Sequence, residues 1–130
     1  MKVFNFENLT VKSTRKEEVY DSICKAYREK HQIKITNNDK KISKYFTYTT
    51  EVISYIDRSN LLKNALYCIF TDYSYNDYID NVEDFAREFG YDDYKEANKI
   101  FNKLTKNNER FSLLIDEELY NKLEKYFENY

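Results

Sequence analysis

The chain of 130 residues has no proline, no tryptophan, one glycine, one histidine and two cysteines. A loop that cradles phosphate groups needs several glycines, and Gly90 stands alone. A zinc site needs thiolates and imidazoles at close spacing, whereas Cys24 and Cys68 lie far apart in sequence. We therefore expect neither a metal nor another cofactor. We also expect both cysteines to be small buried side chains without a disulfide.

Long apolar runs are also missing. None approaches the roughly 18 residues that a membrane span needs, and the amino terminus MKVFNFENL has no apolar signal-peptide core. A hydrophobic share of 42% with 34% charged residues is typical of a folded chain rather than a disordered one. We expect one domain, residues 1–130, in the cytosol of the host cell, as a monomer or a homodimer without membrane contact.

Helix and strand signals both occur in the first half. Thr14 and Glu17 form a capping-box pattern, and apolar residues at helical spacing behind it predict a helix over 15–30. Alternation of apolar and polar residues around Asn37-Asn38-Asp39 predicts a β-hairpin of 33–36 with 41–50. The first twelve residues alternate briefly, which is compatible with a third, edge strand or an extended arm.

From residue 60 onward the pattern is helical. Asn60, Asn81, Asp93 and Asp116 precede apolar faces as N-caps, and Gly90 ends the second of these helices. The sequence thus predicts an α+β fold with one hairpin, with or without the edge strand, packed against about five helices. One core is predicted to hold Leu62, Leu66, Ile69, Phe85, Phe89, Ile100, Phe101, Leu104, Leu119 and Leu123.

Catalytic side chains are scarce. A Ser–His–acid or Cys–His site would have to use His31 as its base, and the predicted helix end at that position favours a solvated cap instead. Carboxylates are abundant, but they stand in a polar stretch where nothing would raise a carboxyl pKa into the working range of a general acid. We therefore expect a binding protein and not an enzyme.

The most distinctive segment is an acidic, tyrosine-rich stretch, TDYSYNDYIDNVEDFAREFGYDDY, from Thr71 to Tyr94. Its eight carboxylates stand against one cation, Arg87, so its net charge is −7, while the whole chain carries −2. Carboxylates steer association with basic partners, and tyrosines supply rigid contact area. The stretch is either an ordinary solvated face or a protein-binding surface, whose predicted residues are Asp72, Tyr73, Tyr75, Asp77, Tyr78, Asp80, Asp84, Tyr91, Asp92 and Asp93.

The same stretch contains a pattern similar to a calcium loop. From Asp72 to Glu83, oxygen-bearing residues stand at positions 1, 3, 5 and 9 of twelve, and glutamate stands at position 12. Position 6, where the sharp turn needs glycine, holds Asp77. In the alternative interpretation, Asn81 and Glu83 serve the cap of the next helix and the other carboxylates face water. We predict no metal site.

A second candidate surface is the basic hairpin. Its lysines could contact phosphates, and its tyrosines could stack on bases. The alternative is that the lysines only protect a strand edge from pairing with other chains. In the nucleic-acid-binding interpretation the site consists of Lys34, Lys40, Lys41, Lys44, Tyr45 and Tyr48.

Three segments carry a resemblance, NALYCIFTDYS, VEDFAREFGYDD and KEANKIFNKLTKNNERF, together with the acid-capped last helix. With the preceding layout of helix and hairpin, over about residues 15–127, they resemble small uncharacterised proteins of phages and integrated elements of Firmicutes. That resemblance carries no assigned activity and no catalytic residues. It implies a mobile-element origin, and proteins of that origin are often inhibitors of host defence, anti-CRISPR proteins among them.

Two functions follow as expectations. The first is a stoichiometric inhibitor that docks the Thr71–Tyr94 stretch on a basic groove of a nucleic-acid-handling defence enzyme of the host, imitating phosphate spacing. The alternative is a nucleic-acid-binding accessory protein that uses the basic hairpin. Salt-dependent binding to generic DNA distinguishes the two.

Overall fold

The computed structural model describes residues 2–23, 25–50, 60–72, 81–105 and 114–130. Four strands come first in this part of the chain, β1 Phe4–Phe6, β2 Leu9–Asp21, β3 Ala26–Asn37 and β4 Ile42–Thr49. Four helices follow, α1 Leu61–Asp72, α2 Val82–Phe89, α3 Tyr94–Leu104 and α4 Glu117–Tyr126. The strands form one antiparallel sheet in the order β1-β2-β3-β4, so neighbours in sequence are neighbours in the sheet.

The prediction of one hairpin with about five helices is wrong, although the fold is a mixture of helices and strands. The predicted helix over 15–30 does not form. Residues 15–21 belong to β2 and residues 26–30 to β3, and the two strands remain paired as far as Asp21 and Ala26. This outer part of the β2–β3 hairpin, residues 15–23 and 25–30, is the arm of the sheet.

Within the described residues, nothing buries the apolar face that a helix over 15–30 would need, and the arm is β-structure. Val19, Ile23 and Tyr27 supplied the helical spacing, yet they are 39%, 91% and 57% exposed. An isolated helix of this length is marginal without a buried face. In the hairpin, the two strands satisfy each other's backbone groups, and Arg28 forms an ion pair with Asp21 at 2.8 Å.

Thr14, which suggested a helix cap, lies in a β-bulge. Ser13 pairs with Ile33 and Arg15 pairs with Gln32, so Thr14 is the extra residue on β2. Its hydroxyl donates to Gln32, whose backbone oxygen is 3.2 Å away and whose side-chain oxygen is 3.0 Å away. The bulge is therefore tied to β3 by a side-chain contact.

The helices pack on one face of the sheet. Leu9, Val11, Ile33, Ile35 and Ile42 are almost fully buried on that face. They share one cluster with the helical residues, and the predicted single core is confirmed. Six of its ten predicted members are buried, and the other four pack against it half-buried, namely Leu62, Ile100, Phe101 and Leu104.

Three of the four predicted N-caps and the predicted end of α2 at Gly90 are confirmed, and Asn60 directly precedes α1. Asn81, Asp93 and Asp116 each accept a hydrogen bond from a backbone amide of the following first turn. Gly90 ends α2 at φ 76°, a left-handed conformation that glycine adopts without strain. None of the described helices is long and apolar enough to cross a membrane. Cys68 is half-buried on α1, and Cys24 lies outside the described residues.

Leu66→Ala should lower the free energy of unfolding by about 2–5 kcal/mol, because the side chain is fully buried and its removal leaves a cavity. Urea unfolding of the purified variant measures this loss. Leu62→Ala is the matched control, since Leu62 is on the same helix but only half-buried. Equal losses in the two variants would contradict this placement of the core.

Candidate functional site

The second face of the sheet is open to solvent along β2, β3 and β4, and no described helix packs on it. Side chains alternate along β3, so Glu29, His31 and Ile33 are buried while Lys30 and Gln32 face the other way. Residues directly opposite on neighbouring strands share a face. As far as the Glu17–Lys30 pair of the arm, the open face therefore consists of Asn5, Thr10, Lys12, Arg15, Glu17, Lys30, Gln32, Lys34, Thr36, Ser43, Tyr45, Thr47 and Thr49.

Three rows of side chains cross the open face from β2 to β4. The pairing gives these rows as Lys12–Lys34–Tyr45, Arg15–Gln32–Thr47 and Glu17–Lys30–Thr49. Four of these nine side chains are cations and one is a carboxylate, so the rows carry a net charge of +3 (4 − 1). A basic surface is thus present on this side of a chain whose overall charge is negative.

The bulge at Thr14 brings two of these cations to the same face. In a regular strand, Lys12 and Arg15 would point in opposite directions, because side chains alternate with a period of two. The extra residue shifts this alternation, and both cations pair with open-face residues, Lys34 and Gln32. Without the bulge, one of the two cations would point toward the helices.

An open depression of about 210 Å³ lies in the second and third rows. It is lined by Arg15, Glu17, Lys30, His31, Gln32 and Thr47. Lys30 lies 3.8 Å from Glu17, and the two side chains are 49% and 48% exposed. Because an exposed ion pair of this kind contributes little stability, an incoming anion can compete for Lys30. The guanidinium of Arg15 offers a planar set of donors suited to phosphate oxygens.

Tyr45 presents an aromatic ring beside this depression. Its side chain is 50% exposed, and the Nζ atom of Lys34 lies 5.8 Å from the ring centroid. Thr47, which lines the depression, is the next residue of β4 on the same face, about 7 Å away along the strand. The open face therefore places an exposed ring, a lysine and a polar depression side by side.

The structure divides the predicted basic hairpin site between the two faces. Lys34 and Tyr45 are on the open face. Lys44 and Tyr48 alternate onto the helical face, where Lys44 forms an ion pair of 2.7 Å with Glu88 of α2 and Tyr48 packs against the core. The turn between β3 and β4 holds the remaining two predicted residues, Lys40 and Lys41.

Sequence reasoning missed Lys12, Arg15 and Lys30 as members of this site. The missed signal was the alternation in YREKHQIKIT, in which Arg28, Lys30, Gln32 and Lys34 occupy every second position back from the predicted strand. The capping-box pattern assigned these residues to a helix, and a helix would have scattered the three cations.

The acidic stretch is described only in part. Residues 73–80 lie outside the described residues, and with them Tyr73, Tyr75, Asp77, Tyr78 and Asp80. Asp72 is the last residue of α1. Asp84 on α2 forms an ion pair with Arg87 at 2.8 Å. Asp92 is exposed, and Asp93 caps α3.

Tyr91, a residue of the predicted protein-binding surface, packs against the core. The residue is half-buried, and its ring stacks on Phe85 with the centroids 5.3 Å apart. Burial, and secondarily the charge of Glu96, raises the pKa of Tyr91 above its usual value. The phenol therefore stays uncharged at neutral pH, and much of its ring belongs to the packing of α2 against the start of α3.

The centre of the calcium-loop pattern also falls on 73–80, outside the described residues. At its end, Asn81 accepts a hydrogen bond from the amide of Asp84 and so has the capping role of the alternative interpretation. In the described part of the chain, no group of three or more His, Cys, Asp or Glu side chains could hold a metal ion.

His31 is not a solvated helix cap, and that prediction is wrong. It is 3% exposed within β3, where Nδ1 lies 2.7 Å from Oγ of Ser13 and Nε2 lies 3.1 Å from Oε1 of Glu29. Glu29 is 1% exposed, and its second oxygen lies 3.7 Å from Nζ of Lys16. This Ser13–His31–Glu29 chain satisfies buried polar groups at the base of the arm.

The same three residue types form nucleophilic triads, which also need a substrate site beside the hydroxyl. Here Ser13 pairs with Ile33 and so points to the helical face, whereas the depression lies among residues of the open face. The role that this geometry supports for the Ser13–His31–Glu29 chain is structural: it holds β2 against β3 beyond the apolar core.

Ser13→Ala should lower the free energy of unfolding by about 1–3 kcal/mol, because it leaves Nδ1 of the buried His31 without its hydroxyl partner. Thermal or urea unfolding measures the loss. Ser22→Ala, an exposed serine in the turn of the arm, should change stability by less than about 0.5 kcal/mol. A Ser13→Ala variant as stable as the Ser22→Ala variant would contradict the role of the hydrogen-bond chain.

A scan against models of protein families finds no match. Searches of curated proteins and of solved structures likewise find none.

Proposed function

We propose that the protein binds nucleic acid through the open face of the sheet. The observation that carries this proposal is the set of four cations, Lys12, Arg15, Lys30 and Lys34, in adjacent rows on a face that no described helix covers. Phosphate contacts from lysine and arginine supply most of the affinity in nucleic-acid binding. Neutral donors beside them, as in the Gln32 and Thr47 side chains, fix the position of the backbone.

The overall charge of −2 does not oppose this function, because the charges are segregated. The described carboxylates of the acidic stretch stand at the end of α1, on α2 and just before α3, and Phe85 and Phe89 of α2 pack on the helical face. Salt screens charges beyond about 8 Å under physiological conditions. A ligand at the open face therefore meets mainly the local potential of that face.

Replacing Arg15 and Lys30 together by glutamate should weaken binding of a fluorescein-labelled oligonucleotide by at least about tenfold. Each lost phosphate contact should also reduce the slope of log K against log salt by roughly 0.7–0.9. Fluorescence anisotropy between about 50 and 200 mM salt measures both quantities.

The matched control replaces Lys99 and Lys103, two exposed lysines of α3, by glutamate. It changes the net charge by the same amount on the helical side of the molecule and should leave most of the affinity intact. Equal weakening by both double variants, or no binding by the unchanged protein at low salt, would contradict the proposal.

A second candidate is the stoichiometric inhibitor of a host defence nuclease, of the anti-CRISPR kind, that the resemblance to mobile-element proteins suggests. One observation favours it: Asp92, Asp93 and Glu96 are exposed at the α2–α3 connection and in the first turn of α3, and Glu83 is exposed in the first turn of α2. In this candidate, these carboxylates dock on a basic, nucleic-acid-handling groove of the host enzyme. Charge complementarity of this kind raises association rates and selects the partner.

Changing Glu83→Gln, Asp92→Asn and Glu96→Gln together should abolish capture of such an enzyme from a bacterial lysate. Each exposed contact contributes only about 0.2–1 kcal/mol, so the three are changed at once, and Asp93 is kept because it caps α3. Mass spectrometry identifies the captured protein. The control changes Asp39→Asn, Glu124→Gln and Glu128→Gln, three exposed positions elsewhere. The same capture by both triple variants would count against the acidic surface.

A further inference from the structure

We infer that the open face takes single-stranded nucleic acid, with one base stacked on Tyr45 and a neighbouring phosphate in the depression beside Arg15 and Lys30. This inference rests on the proposed function and names its ligand class. The observation behind this inference is the exposed ring of Tyr45. Binding of phosphate alone would not need an aromatic side chain at this position.

Stacking on Tyr45 selects unpaired bases. In a duplex, each base is covered by its neighbours, and only its edges and the phosphates are accessible to a flat protein surface. In a single strand, a base can turn its face onto an aromatic ring, and single-strand-binding proteins combine such rings with a basic groove. Tyr45 offers its ring halfway along β4, the outer strand of the sheet, and Lys34 on the neighbouring strand places a cation close to the stacked base.

The spacing along β4 suits one nucleotide. Tyr45 and Thr47 are neighbours on the same face, about 7 Å apart. A base and the phosphate of its own nucleotide are separated by one sugar, which is a similar span. A base on Tyr45 thus brings a phosphate to the edge of the depression, where Arg15, Gln32 and Thr47 supply donors.

Glu17 determines on which side of the depression the strand continues. It stands in the third row, toward the tip of the arm, whereas Lys12 and Lys34 stand in the first row beside Tyr45. A phosphate is repelled by the carboxylate and attracted by the two lysines. The bound strand therefore runs from the depression across the Lys12–Lys34–Tyr45 row and away from the tip of the arm.

The test compares Tyr45→Ser with Tyr45→Phe, using fluorescein-labelled oligothymidylate and a DNA duplex of equal length. Tyr45→Ser should weaken oligothymidylate binding roughly 5- to 150-fold because the stacking ring is lost. Tyr45→Phe keeps the ring and should bind within about twofold of the unchanged protein. The duplex should bind more weakly than the single strand, and neither variant should change its affinity. Thermal unfolding checks that both variants are folded.

The outcomes separate this inference from the proposed function. If Arg15→Glu with Lys30→Glu weakens binding while Tyr45→Ser has no effect, the open face binds nucleic acid and the stacking inference is overturned. If neither probe binds the unchanged protein, both statements fail. Glu17→Gln gives an independent check, since it removes the carboxylate that competes for Lys30 and should tighten oligothymidylate binding. Weaker binding by Glu17→Gln would overturn the proposed position of the phosphate.

Discussion

The Ser13–His31–Glu29 hydrogen-bond chain continues the buried side of the sheet beyond its apolar core. Ile35 and Ile33 are the last apolar residues on the buried side of β3, and His31 and Glu29 continue that side while almost fully buried. An imidazole and a carboxylate buried without partners would cost several kcal/mol. Here each is held by a partner within 3.1 Å, and Lys16 adds a cation near the carboxylate. The polar chain thus substitutes for apolar packing at the base of the arm.

The bulge at Thr14 acts together with this chain and gives the open face its charge. Beyond the bulge, Lys16 turns to the buried side, where it meets Glu29, and Arg15 turns to the open side, where it joins Lys12. The same bulge therefore brings Lys16 to the buried polar cluster and Arg15 to the basic rows. The buried polar cluster and the candidate binding surface thus both depend on the bulge in β2.

The parts of the fold that follow from local signals could be predicted from the sequence. Asn81, Asp93 and Asp116 satisfy amides within one helical turn, so short patterns identify the helix boundaries. The arm could not be predicted in this way, because a capping-box pattern and a helical spacing fit it equally well. Pairing with β3 decided the outcome, and it joins residues of almost the same segment, from Arg15 with Gln32 to Asp21 with Ala26, so helix and hairpin compete for the same residues. The burial of His31 follows from the same pairing.

The candidate site was predictable to a similar degree. Lys34 and Tyr45 were identified because the β3–β4 hairpin has a clear turn, but Lys44 and Tyr48 were assigned to the same surface. Which face the helices cover is a tertiary property, and it places Lys44 beside Glu88 instead.

The most direct test of the account maps the binding surface residue by residue. Backbone amide signals of the ¹⁵N-labelled protein are followed by NMR while single-stranded oligothymidylate is added. The largest shifts should fall on open-face residues of β2, β3 and β4, in the rows that contain Arg15, Lys34 and Tyr45. Shifts confined to α2 and α3, or none at saturating oligonucleotide, would contradict the claim that the open face of the sheet is a nucleic-acid-binding surface.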